Sequence, residues 1–188
     1  MPLKYIRSAV AESPKEQEIM KSNPSTPLTL AALLSIAIAA VHLATIPFGA
    51  SGLRYLAAPQ RLVEMAERGD HLVPTVAVVG LFVVFSTFAL YAWSGAGRMR
   101  KLPGLGFVLL VITSIYILRG VVVVPQIPIS VLDPDAVPLR RVAFSAISLL
   151  IGLVHLRGIA QTPDLAPPFV RRVWRAASDR RSKRMAAK

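Results

Sequence analysis

GLGFVLLVITSIYILRGVVVV, residues Gly104 to Val124, decides the class of this protein. About twenty consecutive apolar residues are enough to cross the hydrocarbon core of a bilayer as a helix. The run holds one arginine, Arg119. A guanidinium inside such a run is costly unless it meets an anionic partner or snorkels to the interface. The run therefore predicts a membrane helix and marks one position that the membrane must accommodate.

Working outward, three further apolar runs stand at about 28–48, 72–93 and 140–157. The 188-residue chain is 54% hydrophobic yet carries a formal charge of +12, so its apolar and basic residues must be segregated along the sequence. The expected fold class is an all-α polytopic membrane protein. Four transmembrane helices form a bundle, with a short outer interfacial helix and a basic amphipathic C-terminal tail. Residues 1–27 read as a polar cytoplasmic tail, 28–160 as the transmembrane domain and 161–188 as a basic cytoplasmic tail. The first run begins late, and Phe48 stands where a cleavage site after Ala50 needs a small residue, so it reads as a retained helix. Without cysteine the chain has neither disulfides nor thiolate metal sites.

Small residues recur at helical spacing in three of the runs. Ala31, Ser35, Ala39 and His42 share one face of the first, and Ser145, Ser148, Gly152 and His155 share one face of the fourth. Gly80, Val84, Thr87 and Tyr91 form a stripe on the second. Such stripes let membrane helices approach closely. Between the first two runs, Gly49 to Asp70 leaves the membrane. Within it Arg61 to Arg68 patterns as an interfacial helix with Leu62, Met65 and Ala66 on one side. After the third run, Pro125 and Pro128 open a loop ending near Pro138. In the C-terminal tail Phe169, Val170, Val173, Trp174 and Ala177 line one side of a further amphipathic helix. Arg171, Arg172 and Arg175, with Trp174, are its expected contacts to anionic lipid.

Counting lysine and arginine by side puts sixteen with the two tails and the Arg98 loop and five on the opposite side. The positive-inside rule then places both termini in the cytoplasm of a bacterial inner membrane and the Glu64 and Asp133 loops outside. On that orientation His42 and Arg119 each lie about 20 Å from the cytoplasmic edge by helical rise. Ser145 falls near their level, and His155 far below them, in an interfacial position near the cytoplasm. Axial ligands must reach one iron, so this difference in depth argues against a haem held by both histidines. No metal or other cofactor is expected. His71 reads as a solvated loop residue.

Two readings of Arg119 stand. Its guanidinium snorkels to the nearby outer headgroups, or it pairs with Glu64 or Glu67 and pins the interfacial helix as a cap. An anionic ligand, or a carboxylate on another chain, is the remaining option. Tyr116, one turn below, shares the same acceptor. His42 is either a packing-face histidine bonded to a neighbouring hydroxyl or a proton-handling or ligand-binding group beside Arg119. The ligand-binding or buried polar cluster expected from the sequence is therefore His42, Glu64, Tyr116 and Arg119.

The segments RYLAAPQRLVEMAERG (Arg54 to Gly69), FALYAWSGAGRMRKLP (Phe88 to Pro103) and IYILRG (Ile115 to Gly120) carry a resemblance. Together they resemble a group of small four-span bacterial inner-membrane proteins. In that group a first-span histidine, a Gly-Ala-x-Glu-like outer segment, a Tyr-Ala-x-Ser-Gly-Ala-Gly loop and a Leu-Arg-Gly end to the third span recur. The outer segment here reads Ala57-Ala58-Pro59-Gln60 in place of the Gly- and Glu-containing form. The resemblance covers about Val41 to Val124 and implies the topology without a reaction. In topology alone the chain is similar to membrane proteins of the DoxX type.

No nucleophile with a base, paired carboxylates or metal constellation is present, so no catalytic residue is assigned. The ten acidic residues all lie in tails or loops, which removes the intramembrane carboxylate of a proton-coupled exporter. The expected function is a non-catalytic membrane accessory protein or subunit of a membrane complex. Its partners are anionic lipid, another membrane protein or a second copy of itself, with no specific nucleic acid. The alternative is a carrier or sensor of a small amphipathic or anionic molecule, such as a lipid or quinone, at the His42–Arg119 cluster. A third is a membrane enzyme using that cluster, with His42 as base.

Overall fold

A computed structural model gives the fold and describes residues 25–162 and 165. All the elements are helical: α1 Thr26–Ala44, a 3-10 turn Ile46–Phe48, α2 Gly49–Tyr55, α3 Gln60–Glu67, α4 Leu72–Gly95, α5 Leu105–Val121, α6 Val123–Leu132 and α7 Leu139–Gln161. Four stretches are long and apolar enough to cross a membrane: Thr26–Tyr55, Leu72–Gly95, Leu105–Leu132 and Leu139–Gln161. This is the all-α, four-span bundle of a multi-pass membrane protein.

The spanning helices form a ring in the order α1, α4, α5, α7, with the broadest contacts between α1 and α4 and between α5 and α7. Small residues set those distances. A Cβ on Gly120 of α5 would strike the backbone of Leu149 on α7, and one on Gly152 of α7 would lie 3.0 Å from the backbone nitrogen of Ile117. Two helices thus meet backbone to backbone at paired glycines, as lipid-immersed helices do when packing rather than hydrophobicity holds them together. On α1 the predicted face is the buried one, with Ala31, Ser35 and Ala39 all covered.

The small-residue stripe of α4 turns out to face away from the bundle except at Tyr91, which is half-buried against the core. Gly80, Val84 and Thr87 are exposed, and Thr87 Oγ1 donates to its own Val83 carbonyl. The packed face carries Val78, Ala89 and Ala92. On a helix that is apolar all round, periodicity does not separate a protein-facing side from a lipid-facing one.

One end of the bundle gathers the start of α1, the α4–α5 loop and the end of α7. Ser25 N–H donates to the Ala96 carbonyl at 3.1 Å, Arg98 Nε donates to Thr29 Oγ1 at 3.1 Å, and Gly158 lies against Leu28. The Tyr91-Ala92-Trp93-Ser94-Gly95-Ala96-Gly97 segment forms the knot. Ser94 Oγ donates to the Arg100 carbonyl and accepts Leu102 N–H, while Gly97, at φ +77°, supplies the left-handed bend. The motif is spent on closing a loop.

Three helix boundaries differ from the sequence expectation. The segment after Pro125 is helical through Leu132, because Pro125 stands in the first turn of α6, where its missing N–H has no intrahelical acceptor to lose, and only Pro128 is interior. The fourth span runs past Arg157 to Gln161. After α1 the chain forms the short α2 before α3, so Gly49 to Asp70 makes two helices rather than one. α3 packs by Val63 and Ala66 against Leu53 of α2 and Val78 of α4. The C-terminal positions Arg171, Arg172, Trp174 and Arg175 lie outside the described residues.

Candidate functional site

Tyr116 occupies the bundle axis. It is 3% exposed, and its hydroxyl shares a 3.1 Å hydrogen bond with Ser35 Oγ of α1, across the ring of helices. Around it stand one ring from α7 and two from α4. His155 stacks on Tyr116 with centroids 5.4 Å apart, Phe88 meets it edge-on at 5.9 Å, and Phe85 lies at 6.2 Å. The pattern follows from helix spacing. Ile112, Tyr116 and Gly120 share the buried face of α5, and Ile151, Gly152 and His155 share that of α7.

His155 is fully buried, and the expectation of an interfacial position is corrected on two counts. α7 continues beyond it to Gln161, which carries it into the bundle, and the close approach at Gly152 lays its ring on Tyr116. Its Nδ1 lies 3.0 Å from the Ile151 carbonyl, one turn back. A carbonyl only accepts, so Nδ1 holds the proton and Nε2 of the neutral ring is left as an acceptor. Nε2 is buried with no hydrogen-bond partner among the described residues.

His42 repeats the arrangement nearer the other end. Its Nδ1 donates to the Ile38 carbonyl at 2.8 Å and its ring packs against Phe85 at 5.1 Å. The structure therefore places His42 and Tyr116 against the same ring, Phe85. The neighbour expected to satisfy His42 was a hydroxyl; its own helix supplies a carbonyl instead. Ser35, bonded to Tyr116, marks the level of that ring, and His42 stands about 10 Å further along α1 by helical rise. With Phe85 and Tyr116 between them, the two histidines face no common point. Among the described residues no three His, Asp or Glu side chains come together as metal ligands.

Arg119 leaves this axis. Its Nη1 donates to Ser145 Oγ of α7 at 3.0 Å. The acceptors proposed from sequence are elsewhere: Glu67 forms an ion pair with Arg54 of α2, and Glu64 is exposed on α3. The ion pair does pin the α2–α3 cap, but with Arg54 as the cation, because α2 is a helix and holds Arg54 beside α3. Tyr116 does not share the acceptor of Arg119. Arg119 stands exposed in the last turn of α5, so the snorkelling path stays open beside its bond to Ser145.

The cluster read from sequence thus separates into an axial aromatic group around Tyr116, an Arg119–Ser145 pair, and a cap carrying Glu64. Sequence reasoning missed Phe85, Phe88 and the place of His155, since no signal short of the α4 and α7 packing faces points to them. Beneath the cap, Thr45, Leu53, Ala66, His71, Thr75 and Val78 help to line an open cleft of about 140 Å³. Its clearest polar group, Thr45 Oγ1, already donates to the His42 carbonyl. His71 is exposed at its rim. No protein-family model, no curated protein and no solved structure matches the chain.

Proposed function

We propose that this protein is a non-catalytic accessory subunit of the bacterial inner membrane, working through association with a membrane partner or with a second copy of itself. The observation that supports this reading is how the axial polar groups are spent. Tyr116 bonds Ser35, and both intramembrane histidines turn Nδ1 onto their own helix. A nucleophile–base or acid–base pair needs two such groups facing a shared substrate position. Here Tyr116 is bonded across to α1, each histidine is bonded within its own helix, and aromatic rings fill the space between them.

Both termini face the cytoplasm in this proposal, and the tail residues Arg171, Arg172, Trp174 and Arg175 rest on anionic lipid. The gathering of the Arg98 loop with the start of α1 supports a common side for the basic segments. The absence of cysteine makes the orientation directly testable, since Arg98→Cys and Asp135→Cys variants each carry one thiol. In intact cells an impermeant maleimide is expected to label Asp135→Cys and to spare Arg98→Cys; the reverse pattern removes the orientation. Association is tested by cross-linking in native membranes followed by purification in mild detergent. A stoichiometric partner or a defined homo-oligomer is expected, and a chain that stays single after cross-linking sinks the accessory reading.

A further inference from the structure

Arg119 is charged and exposed in the last turn of α5, and its observed partner is a neutral hydroxyl, Ser145 Oγ. A hydroxyl satisfies one of five guanidinium N–H donors and none of the charge. In a bilayer the remaining cost calls for an anion. Two of the described acids are engaged elsewhere. Glu67 is held by Arg54, and Asp133 Oδ1 accepts the N–H groups of Asp135 and Ala136 in the α6–α7 loop. Among the described residues no carboxylate forms an ion pair with Arg119.

The surroundings narrow the class of anion. Arg141 precedes Ser145 by one turn on the same face of α7 and is exposed. Two exposed arginines therefore lie along one side of the α5–α7 seam, one of them seated by the buried Ser145 hydroxyl, and their N–H groups suit the several oxygens of a phosphate. That seam is held in place by the contact of Gly120 with the Leu149 backbone. Ser145 lies about 9 Å along α7 from its first residue, Leu139, by helical rise, so an anion there is drawn below the helix end. Ile115 of α5 and Val122, just past its end, flank Arg119 by one turn on either side and are exposed, giving an apolar strip for an acyl chain. Tyr55 of α2 packs edge-on against Phe144 at 6.0 Å, so the cap stands beside the same turn of α7.

We propose that Arg119, held in position by Ser145, and Arg141 bind the phosphate headgroup of an anionic amphiphile, whose chain lies along the exposed face of α5. This goes beyond the accessory reading and stands or falls separately from it. Glu64 and Tyr116 are not part of the site.

The test uses the full-length protein in mild detergent and native mass spectrometry with three probes: dioctanoyl phosphatidic acid, dioctanoylglycerol and inorganic phosphate. The first two share chains, and the first and third share the phosphate. Wild type is expected to prefer phosphatidic acid over dioctanoylglycerol by about tenfold or more. Arg119→Gln is expected to abolish that preference, Arg119→Lys to retain part of it, and Arg141→Gln to weaken it about threefold, with thermal midpoints recorded for each. If Arg119→Gln fails to fold, Arg119→Lys and Arg141→Gln carry the comparison, and an undiminished preference in both overturns the site. So does a wild type without preference. Inorganic phosphate displacing phosphatidic acid at equal concentration overturns the amphiphile in favour of a soluble anion. A dimer that dissociates on Arg119→Gln overturns it in favour of a carboxylate from a second copy.

Discussion

Tyr116 and His155 lie ring on ring at the bundle axis, with centroids 5.4 Å apart and planes inclined by 27°. The stack joins α5 to α7 through side chains, next to the place where Gly152 joins them through backbone. The imidazole contributes a flat ring to the packing and leaves a buried acceptor, Nε2, without a partner. Leaving such an atom unmet is destabilising by roughly 1–3 kcal/mol, whereas an apolar isostere avoids that cost. His155→Phe is therefore expected to match or exceed wild type in thermal stability in detergent, while His155→Ala loses about 2–4 kcal/mol through the void left beside Tyr116. A clear loss on His155→Phe would show that Nε2 has a partner, such as a bound water or ligand, that matters to the fold.

The Tyr116–Ser35 bond crosses the ring of helices and couples α5 to α1. Tyr116→Phe and Ser35→Ala are each expected to cost about 1 kcal/mol, and the double variant scarcely more than either. Denaturant unfolding of the four proteins in a double-mutant cycle measures the coupling. Additive losses would mean that the two hydroxyls act independently.

Gly120 has no room for a methyl group, since its Cβ would meet the Leu149 backbone and backbone cannot step aside as a side chain does. Gly120→Ala is expected to destabilise by about 1–3 kcal/mol, and Gly120→Leu by more, with α5 and α7 forced apart. Gly80 provides the internal control. Nothing lies within 4 Å of its Cβ direction, so Gly80→Ala is expected to be neutral or slightly stabilising through helix propensity. Thermal midpoints of the two alanine variants should therefore move in opposite directions or differ by several degrees.

The Arg54–Glu67 pair ties α2 to α3 on the outside of the cap, with the two side chains 58% and 39% exposed. Exposed ion pairs contribute little, so Glu67→Gln is expected to lower stability by no more than about 1 kcal/mol. Glu64→Gln, which removes an exposed charge without an observed partner, is expected to change nothing measurable. A large effect at Glu64 in a thermal scan would restore that residue to a buried polar cluster.

The apolar runs, taken with the segregation of charge, determined the fold class, the number of spans and their order, because the membrane admits almost no other solution for such segments. They also determined the protein-facing sides of α1 and α7, where a histidine and small residues coincide on one stripe. Periodicity failed on α4, whose surface is apolar all round and gives no contrast to read. Tertiary structure alone decided the partners. The depth of His155 depended on where α7 ends, and the acceptor of Arg119 depended on α2 forming a helix that takes Glu67 for Arg54. The stack of His155 on Tyr116 is in addition a matter of register between helices distant in sequence. Register is set by backbone contacts at Gly120 and Gly152, which no single stretch of the chain encodes.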